Sequence, residues 1–287
     1  MHSVSIVGCG YTGLRLAQRW LTFRPRHGVR GFATRPDSLR EIAAVGAESQ
    51  RLNLDAPPAL LDFSGQLLYY MVPPAPMGDR DDRLERLLEH IGGKPRRVIY
   101  LSTTGVYGDR GGALVDEETP PTPQSVRAAR RLAAEHTLRQ WGDSHAVSWC
   151  ILRVSGIYGP GRLPLERLRR QDPAIDPREA MPGNRIHVED LVTACIAAGV
   201  APRADGRVYN VTDGSEDSLT AYLQRVARIG NLPRPPLISR AVAQKTFEPV
   251  AWSFQSESRR VDNRRMLDEL GVILAFQDLD AGIRASL

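Results

Sequence analysis

The sequence predicts an α/β protein: a doubly wound parallel sheet with helices on both faces, joined to a smaller C-terminal lobe. Three observations point there. Between residues 3 and 154, short apolar runs alternate with amphipathic stretches of helical length, and crossovers of that length join parallel strands. The runs are apolar almost throughout, as strands covered on both faces are. After residue 158 the texture changes to Pro, Arg and Gly, and 287 residues suffice for one large domain or two.

Residues 3–7 read as a buried strand, and 13–21 as a helix with Leu14, Ala17 and Leu21 on one face. Residues 29–33 form the second strand. Ser38 and Glu41 have the spacing of a capping box, which opens the second helix. A strand over 66–72 ends at Pro73-Pro74, a helix follows at 82–91, and 97–102 is a strongly apolar strand. A long helix covers 124–139 and another strand 147–154. Residues 159–183 are rich in Pro, Arg and Gly. A helix at 188–200 and a strand at 207–212 resume the alternation. From Leu232 the chain is Pro-rich and irregular. It closes with a helix at 264–270, for which Asn263 is the expected N-cap.

Composition excludes several classes. Lys+Arg number 38, but only Lys94 and Lys245 are lysines and 36 are arginines, so chemistry needing a titratable amine has two candidates. A guanidinium stays protonated at any working pH. No apolar run approaches the ~20 residues of a membrane helix. The start, Met1-His2-Ser3-Val4-Ser5, lacks the basic and apolar regions of a secretion signal. Cys9, Cys150 and Cys195 offer neither a disulfide framework nor a CxxC metal site, and the histidines form no HxxxH pair. The expectation is a soluble, cytoplasmic protein without a metal. The net charge of +5 comes from arginines scattered among acids, so neither nucleic acid nor membrane is expected as a partner.

Gly8-Cys9-Gly10-Tyr11-Thr12-Gly13 is GxGxxG, placed after the first strand and at the start of a helix. The first glycine permits a tight turn, the second lets a pyrophosphate approach the backbone, and the third lets the helix pack on the strand. The helix N-terminus then faces the phosphates. This context predicts a Rossmann-type dinucleotide fold, with Gly8, Gly10, Tyr11, Thr12 and Gly13 at the cofactor. About 20 residues further on, an NAD site places an acid against the ribose 2′-hydroxyl. Here the second strand ends Phe32-Ala33-Thr34-Arg35, a hydroxyl and a guanidinium suited to a 2′-phosphate. Asp37 follows Pro36 and belongs to a first helical turn. NADP(H) is therefore favoured over NAD(H), the plainer alternative being that Arg35 is one solvated arginine of many. Asp55 suits the adenine edge or, equally, a loop cap. Val72 and Pro73, at the end of the 66–72 strand, join the cofactor set. The expected division is a dinucleotide-binding domain over 1–158, completed by about 188–212, and a substrate lobe over 159–187 and 213–287.

Tyr100-Leu101-Ser102-Thr103-Thr104-Gly105-Val106-Tyr107-Gly108 is an apolar strand running into hydroxyls, and open parallel sheets bind ligands at the carboxyl ends of their strands. This block, the glycine loop, Arg153-Val154-Ser155-Gly156-Ile157-Tyr158-Gly159-Pro160-Gly161 and Asn184-Arg185-Ile186-His187-Val188-Glu189-Asp190-Leu191 follow one another in a recognisable order. In them the chain resembles the extended branch of the short-chain dehydrogenase/reductase superfamily, the NAD-dependent epimerase/dehydratase family. The four blocks span residues 6 to 191, and Tyr209-Asn210-Val211 resembles the next family strand. Residues 262–271 resemble the final helix of the atypical, YeeZ-like members. The resemblance implies that Thr103 hydrogen-bonds the reacting oxygen and that Ser102 lines the cofactor. It places Arg153, Tyr158, Arg162 and Arg185 around an anionic, nucleotide-sugar-like substrate. It implies a homodimer through the helices at 82–91 and 124–139. It also implies a Tyr-x-x-x-Lys on the long helix, with Glu four residues later. Glu135 matches that Glu, which puts Arg131 at the lysine position and Arg127 at the tyrosine position. No Tyr-x-x-x-Lys occurs anywhere in the chain.

A tyrosine, with an intrinsic pKa of about 10, needs a nearby cation to exchange protons near neutrality. Arg127 cannot replace it. Arg131 can hold ribose hydroxyls as a fixed cation or pair with Glu135 on a solvated face, since i, i+4 and i+8 share one side of a helix. Tyr107, just beyond Thr103, is a substitute acid or a packing residue. Tyr158 and His187 are further candidates, and His187 is equally a hydrogen-bonded structural group. Two functions follow. Thr103 and the arginine-rich blocks speak for an NADP(H)-dependent oxidoreductase or epimerase-like enzyme. The replacements at 127 and 131 speak for a non-catalytic NADP(H)-binding redox sensor or regulator.

Overall fold

The computed structural model describes residues 2–24 and 28–287. Seven strands, β1 (His2–Val7), β2 (Gly28–Ala33), β3 (Glu48–Arg51), β4 (Leu67–Tyr70), β5 (Arg97–Thr103), β6 (Ser148–Val154) and β7 (Arg207–Val211), form one sheet. Its spatial order is β7-β6-β5-β4-β1-β2-β3, every pairing parallel. The chain winds outward from β1 to β3, then returns to β4 and winds the other way. The order reverses between β1 and β4, where the crevice of a doubly wound sheet lies. The helices are α1 (Tyr11–Phe23), α2 (Pro36–Ala44), α3 (Asp82–Glu89), α4 (Val126–His145), α5 (Leu165–Arg169), α6 (Val188–Val200), α7 (Leu219–Ile229), α8 (Arg240–Thr246), α9 (Pro249–Ser256), α10 (Arg264–Leu270) and α11 (Leu279–Arg284).

Side-chain alternation sorts the strands between two cores. Val4, Ile6, Leu67, Tyr69, Ile99 and Leu101 share a core with Leu16 and Trp20 of α1 and Leu191 and Ala198 of α6. Val7, Leu68, Tyr70, Val98 and Tyr100 share the other with Leu84 and Leu87 of α3 and Ala134 and Leu138 of α4. Burying each such side chain stabilises the fold by roughly 1.5–3 kcal/mol before entropy is counted. A third, smaller core joins Tyr158, Leu168, Tyr222, Leu223, Val226 and Ile283 away from the sheet.

The structure departs from the pattern reading in several places. The second helix begins at Pro36, not at a Ser38 cap, and Ser38 is buried inside it. Proline at the first helical position presets φ and lacks an N–H that would be unpaired there. β3 has the polar sequence Glu48-Ser49-Gln50-Arg51, which an edge strand tolerates and periodicity does not reveal. α4 runs on to His145 through Gly142, where a Cβ would lie 2.5 Å from Trp149 Cδ1. The region after Leu232 contains α8, α9 and α11. Asn263 stands at the N-cap of α10 but makes no side-chain cap there; its Nδ2 donates to Thr212 O at 2.8 Å. Met266, Leu270 and Val272, expected in the smaller lobe, pack into the first core over the main sheet.

Two short parallel pairs position the site. Gly156–Tyr158 pairs with Arg185–His187, joining two of the motif blocks. Leu114–Val115 pairs with Arg260–Val261, fastening the chain's last third beside the loop that follows β5.

Candidate functional site

The glycine loop closes the end of β1. Gly8 has φ +86°, and a Cβ there would stand 2.8 Å from Val72 N. Gly13 lies so close to β1 that a Cβ would be 3.1 Å from Ile6 Cγ2, whereas a Cβ on Gly10 would meet nothing within 4 Å. The first and third glycines thus serve the turn and the helix–strand contact, and the second leaves the backbone open. α1 starts at Tyr11 with no side-chain cap, so its first N–H groups remain free for a ligand. Around this loop lies a cavity of about 680 Å³, lined by Gly8, Gly10, Tyr11, Thr12 and Gly13, by Thr34, Arg35 and Ser38, by Asp55, Arg83, Val72 and Pro73, and by Ser102 and Arg131. All eleven residues expected at the cofactor line this one cavity.

Its polar groups differ in how committed they are. Among the described residues Arg35 makes only a long contact, 3.5 Å from Nη2 to Ser38 Oγ. Asp37 pairs with Arg40 on the surface. The Asp55 carboxylate accepts two hydrogen bonds from Arg83, at 2.6 and 2.9 Å, which hold its pKa below the usual range. Asp55 therefore fixes Arg83 in the wall, a partner the sequence did not suggest. Cys9 is buried, its thiol pushed up to about 12 by burial, and is no nucleophile.

A second cavity of about 830 Å³ adjoins it, and the two share Ile157 and Arg162. Thr103, Ser125, Arg127, Tyr158, Arg162 and Arg185 line it, and α8, α9 and the residues flanking α9 contribute Arg240, Glu248, Phe254, Glu257 and Arg259. Six arginines face two glutamates, so the lining favours anions. The Arg162 guanidinium stacks 4.0 Å over the Tyr11 ring, which Arg15 also covers at 4.0 Å. The Tyr11 hydroxyl donates to Pro160 O at 3.0 Å, tying the glycine loop to the segment after Gly156–Tyr158. Arg185 is buried, donates to Asp217 O at 2.6 Å and stacks 4.4 Å over Tyr222.

Between the cavities, α4 presents Arg127, Arg131 and Glu135. Arg131 Nη1 donates to Leu101 O at 2.9 Å and to Tyr100 Oη at 3.2 Å. Glu135 is fully buried and accepts from Ser102 Oγ at 2.6 Å and from Arg153 Nε and Nη2 at 3.1 and 2.8 Å. Arg153 Nη1 reaches the Tyr107 hydroxyl at 3.0 Å, and that hydroxyl donates to Asn210 Oδ1 at 2.8 Å. One buried network thus joins β5, α4, β6 and β7 behind Thr103.

Residues 83–212 match the NAD dependent epimerase/dehydratase family. Protein YeeZ of Escherichia coli (strain K12) is 27% identical over 292 residues, covering 97% of each chain. A functionally unknown conserved protein from Silicibacter pomeroyi DSS, of solved structure, is 31% identical with a TM-score of 0.80, covering 99% of this chain and 98% of that one. The chain belongs to the NAD-dependent epimerase/dehydratase family. A UDP-glucuronic acid 4-epimerase from Bacillus cereus, solved in complex with UDP-glucuronic acid and NAD, shares the fold: its TM-score is 0.75 at 19% identity, covering 99% of this chain and 97% of that one.

Against this family's pattern, two expected roles need correcting. Tyr107, a candidate acid, is fully buried and lines neither cavity; burial pushes its pKa up to about 12, although Arg153 works the other way. Arg153, expected at the substrate, is 2% exposed and directs its guanidinium to Glu135 and Tyr107. The position of Arg153 follows from the buried carboxylate of Glu135, which requires a cation beside it. Tyr158 does line the second cavity, but its hydroxyl is wedged against α11, where a Cβ on Gly282 would lie 2.2 Å away. His187 is a structural cap: Nδ1 accepts from Glu189 N at 3.2 Å, and burial lowers its pKa. The α8–α9 wall was not foreseen, because a Pro-rich stretch carries no periodic signal.

Proposed function

We propose that the chain binds NADP(H) in the 680 Å³ cavity and an anionic, nucleotide-sugar-like substrate in the 830 Å³ cavity, as an oxidoreductase or epimerase-like enzyme. The observation that carries this reading is the junction: Ser102 lines one cavity, Thr103 the other, and Ile157 and Arg162 border both. The residues fit a dinucleotide. The open Gly10 backbone and the uncapped start of α1 suit a pyrophosphate, and Thr34, Arg35 and Ser38 suit a 2′-phosphate. When bound, the nicotinamide supplies a hydride donor or acceptor. Arg131, held by Leu101 O and Tyr100 in the wall of the 680 Å³ cavity, would be a fixed cation for the bound cofactor. Thr103 offers its hydroxyl to the substrate, and Arg162 and Arg185 offer charge. The proposed units are 1–158 with about 188–212 and the α10 segment for the cofactor, and 159–187 with the rest of 213–287 for the substrate. A cytoplasmic homodimer through α3 and α4 completes the proposal; a monomer in light scattering removes the dimer.

Fluorescence titration with NADPH and NADH tests the cofactor, and tighter NADH binding overturns the preference. A hydride-transfer screen over nucleotide sugars tests the reaction. One observation favours the non-catalytic reading: among the described residues, no Asp, His or Lys lines the second cavity, and arginines stand at positions 127 and 131. Tight NADPH binding with no turnover across the screen would select it.

A further inference from the structure

The wall of the second cavity around Thr103 is chemically one-sided. A Cβ on Gly105 would lie 3.4 Å from Thr103 Oγ1 and 3.8 Å from Ala128 Cβ, so the end of β5 and the first turn of α4 adjoin there. Thr103, Ser125 and Arg127 line the cavity at this junction. Thr103 Oγ1 accepts from Gly105 N at 3.1 Å, and Ser125 Oγ accepts from Ala128 N at 3.3 Å. The backbone amides thus engage the oxygens of both hydroxyls, while their protons have no acceptor among the described residues. Arg127 makes no hydrogen bond or ion pair to a described group; its contact is a stack 4.0 Å over Phe254 of α9. That stack orients the guanidinium without using its N–H donors. The three side chains therefore offer a ligand two O–H donors and a guanidinium fork.

Arg127 is also poorly served by the protein itself. It sits in the first turn of α4, where no acid is present and a cation opposes the helix dipole. Burial and Arg131 both act against its charge, and only Glu257, which is itself paired with Arg259 at 3.0 Å, acts for it. A ligand anion in this part of the cavity supplies the acceptors that the guanidinium and the two hydroxyls lack. A neutral hydroxyl or carbonyl leaves the guanidinium unpaired.

We propose that the ligand group seated on Thr103, Ser125 and Arg127 is a carboxylate, so that the substrate is a sugar acid rather than a neutral sugar. This rests on the reading of the second cavity as the substrate site. The test is calorimetric titration of the NADPH-saturated protein with UDP-glucuronate and UDP-glucose, and with free glucuronate and glucose where the nucleotide is not accepted. The acid is expected to bind at least about tenfold more tightly than its neutral counterpart. Arg127→Gln should reduce that preference to within about twofold, and Arg127→Lys should restore part of it. Circular dichroism checks that each variant is folded. Equal or tighter binding of the neutral sugar overturns the proposal, as does a preference that survives Arg127→Gln. Absence of binding by either member of both pairs also overturns it. Failure to bind NADPH instead overturns the functional reading beneath it.

Discussion

Replacing Glu135 by Gln tests the buried network most directly. Glu135 is fully buried, and Arg153 is 2% exposed. Two of the three short hydrogen bonds to the carboxylate come from Arg153, at 3.1 and 2.8 Å; the third comes from Ser102 at 2.6 Å. Glutamine keeps the shape and one acceptor oxygen, but it turns an amide donor toward a guanidinium that can only donate. The Arg153 charge is then left in the interior with no counter-charge, only the glutamine oxygen and the Tyr107 hydroxyl beside it. Breaking a buried pair from one side costs about 3–5 kcal/mol, a large part of the 5–15 kcal/mol typical of a folded domain. Removing both charges in Glu135→Leu/Arg153→Met avoids the stranded cation, so the double variant should be more stable than the sum of the single changes allows, by about 2 kcal/mol or more. Urea unfolding followed by circular dichroism gives each value from the midpoint at constant m. A Glu135→Gln cost within about 1 kcal/mol, or strict additivity in the cycle, would refute the pairing as the reason for Arg153's position.

Three further outcomes are expected. Arg35→Ala should weaken NADPH binding about tenfold, the loss of one charge-assisted contact, and leave NADH unchanged; equal losses for both nucleotides in a fluorescence titration would show that Arg35 does not read the 2′-phosphate. Gly10→Val should abolish cofactor binding with little change in thermal stability, because its Cβ meets only open space, whereas Gly8→Ala should destabilise the fold, because φ is +86° and the Cβ meets Val72 N at 2.8 Å; identical melting behaviour of the two variants would contradict this. Asp81 caps α3 through Leu84 N with one oxygen, while the other is buried without a partner, and burial raises its pKa. A raised folded pKa makes ionisation a penalty that is present above that pKa and fades as pH falls toward the unfolded value of about 3.9. Asp81→Asn should therefore raise the unfolding midpoint at pH 7.5 and change it little at pH 4, and a lower midpoint at pH 7.5 would exclude the idea.

Much of the glycine-loop cavity was legible because its signals are local. The glycine spacing, the strand before it and the helix after it are neighbours in sequence, and all eleven predicted cofactor residues line one cavity. The boundaries of α6 and α10 were read correctly from the sequence. The polar edge strand β3 and the helices α8 and α9 were not, because exposed or short elements carry no apolar period.

The sequence by itself determined the parallel sheet, the order of its strands along the chain and the loop that opens it, since backbone turns and apolar periods follow from consecutive residues. It also determined that arginine, not lysine, stands almost wherever this chain needs a cation. What each arginine does was decided only by the tertiary structure. Arg153 is buried against Glu135, Arg131 is held by backbone and phenol oxygens, Arg127 stacks on Phe254 in the second cavity, and Arg162 stacks on Tyr11 where the two cavities meet. One residue type spans these roles because a guanidinium's partners are the nearest acceptors, and those are set by contacts tens of residues away in the chain.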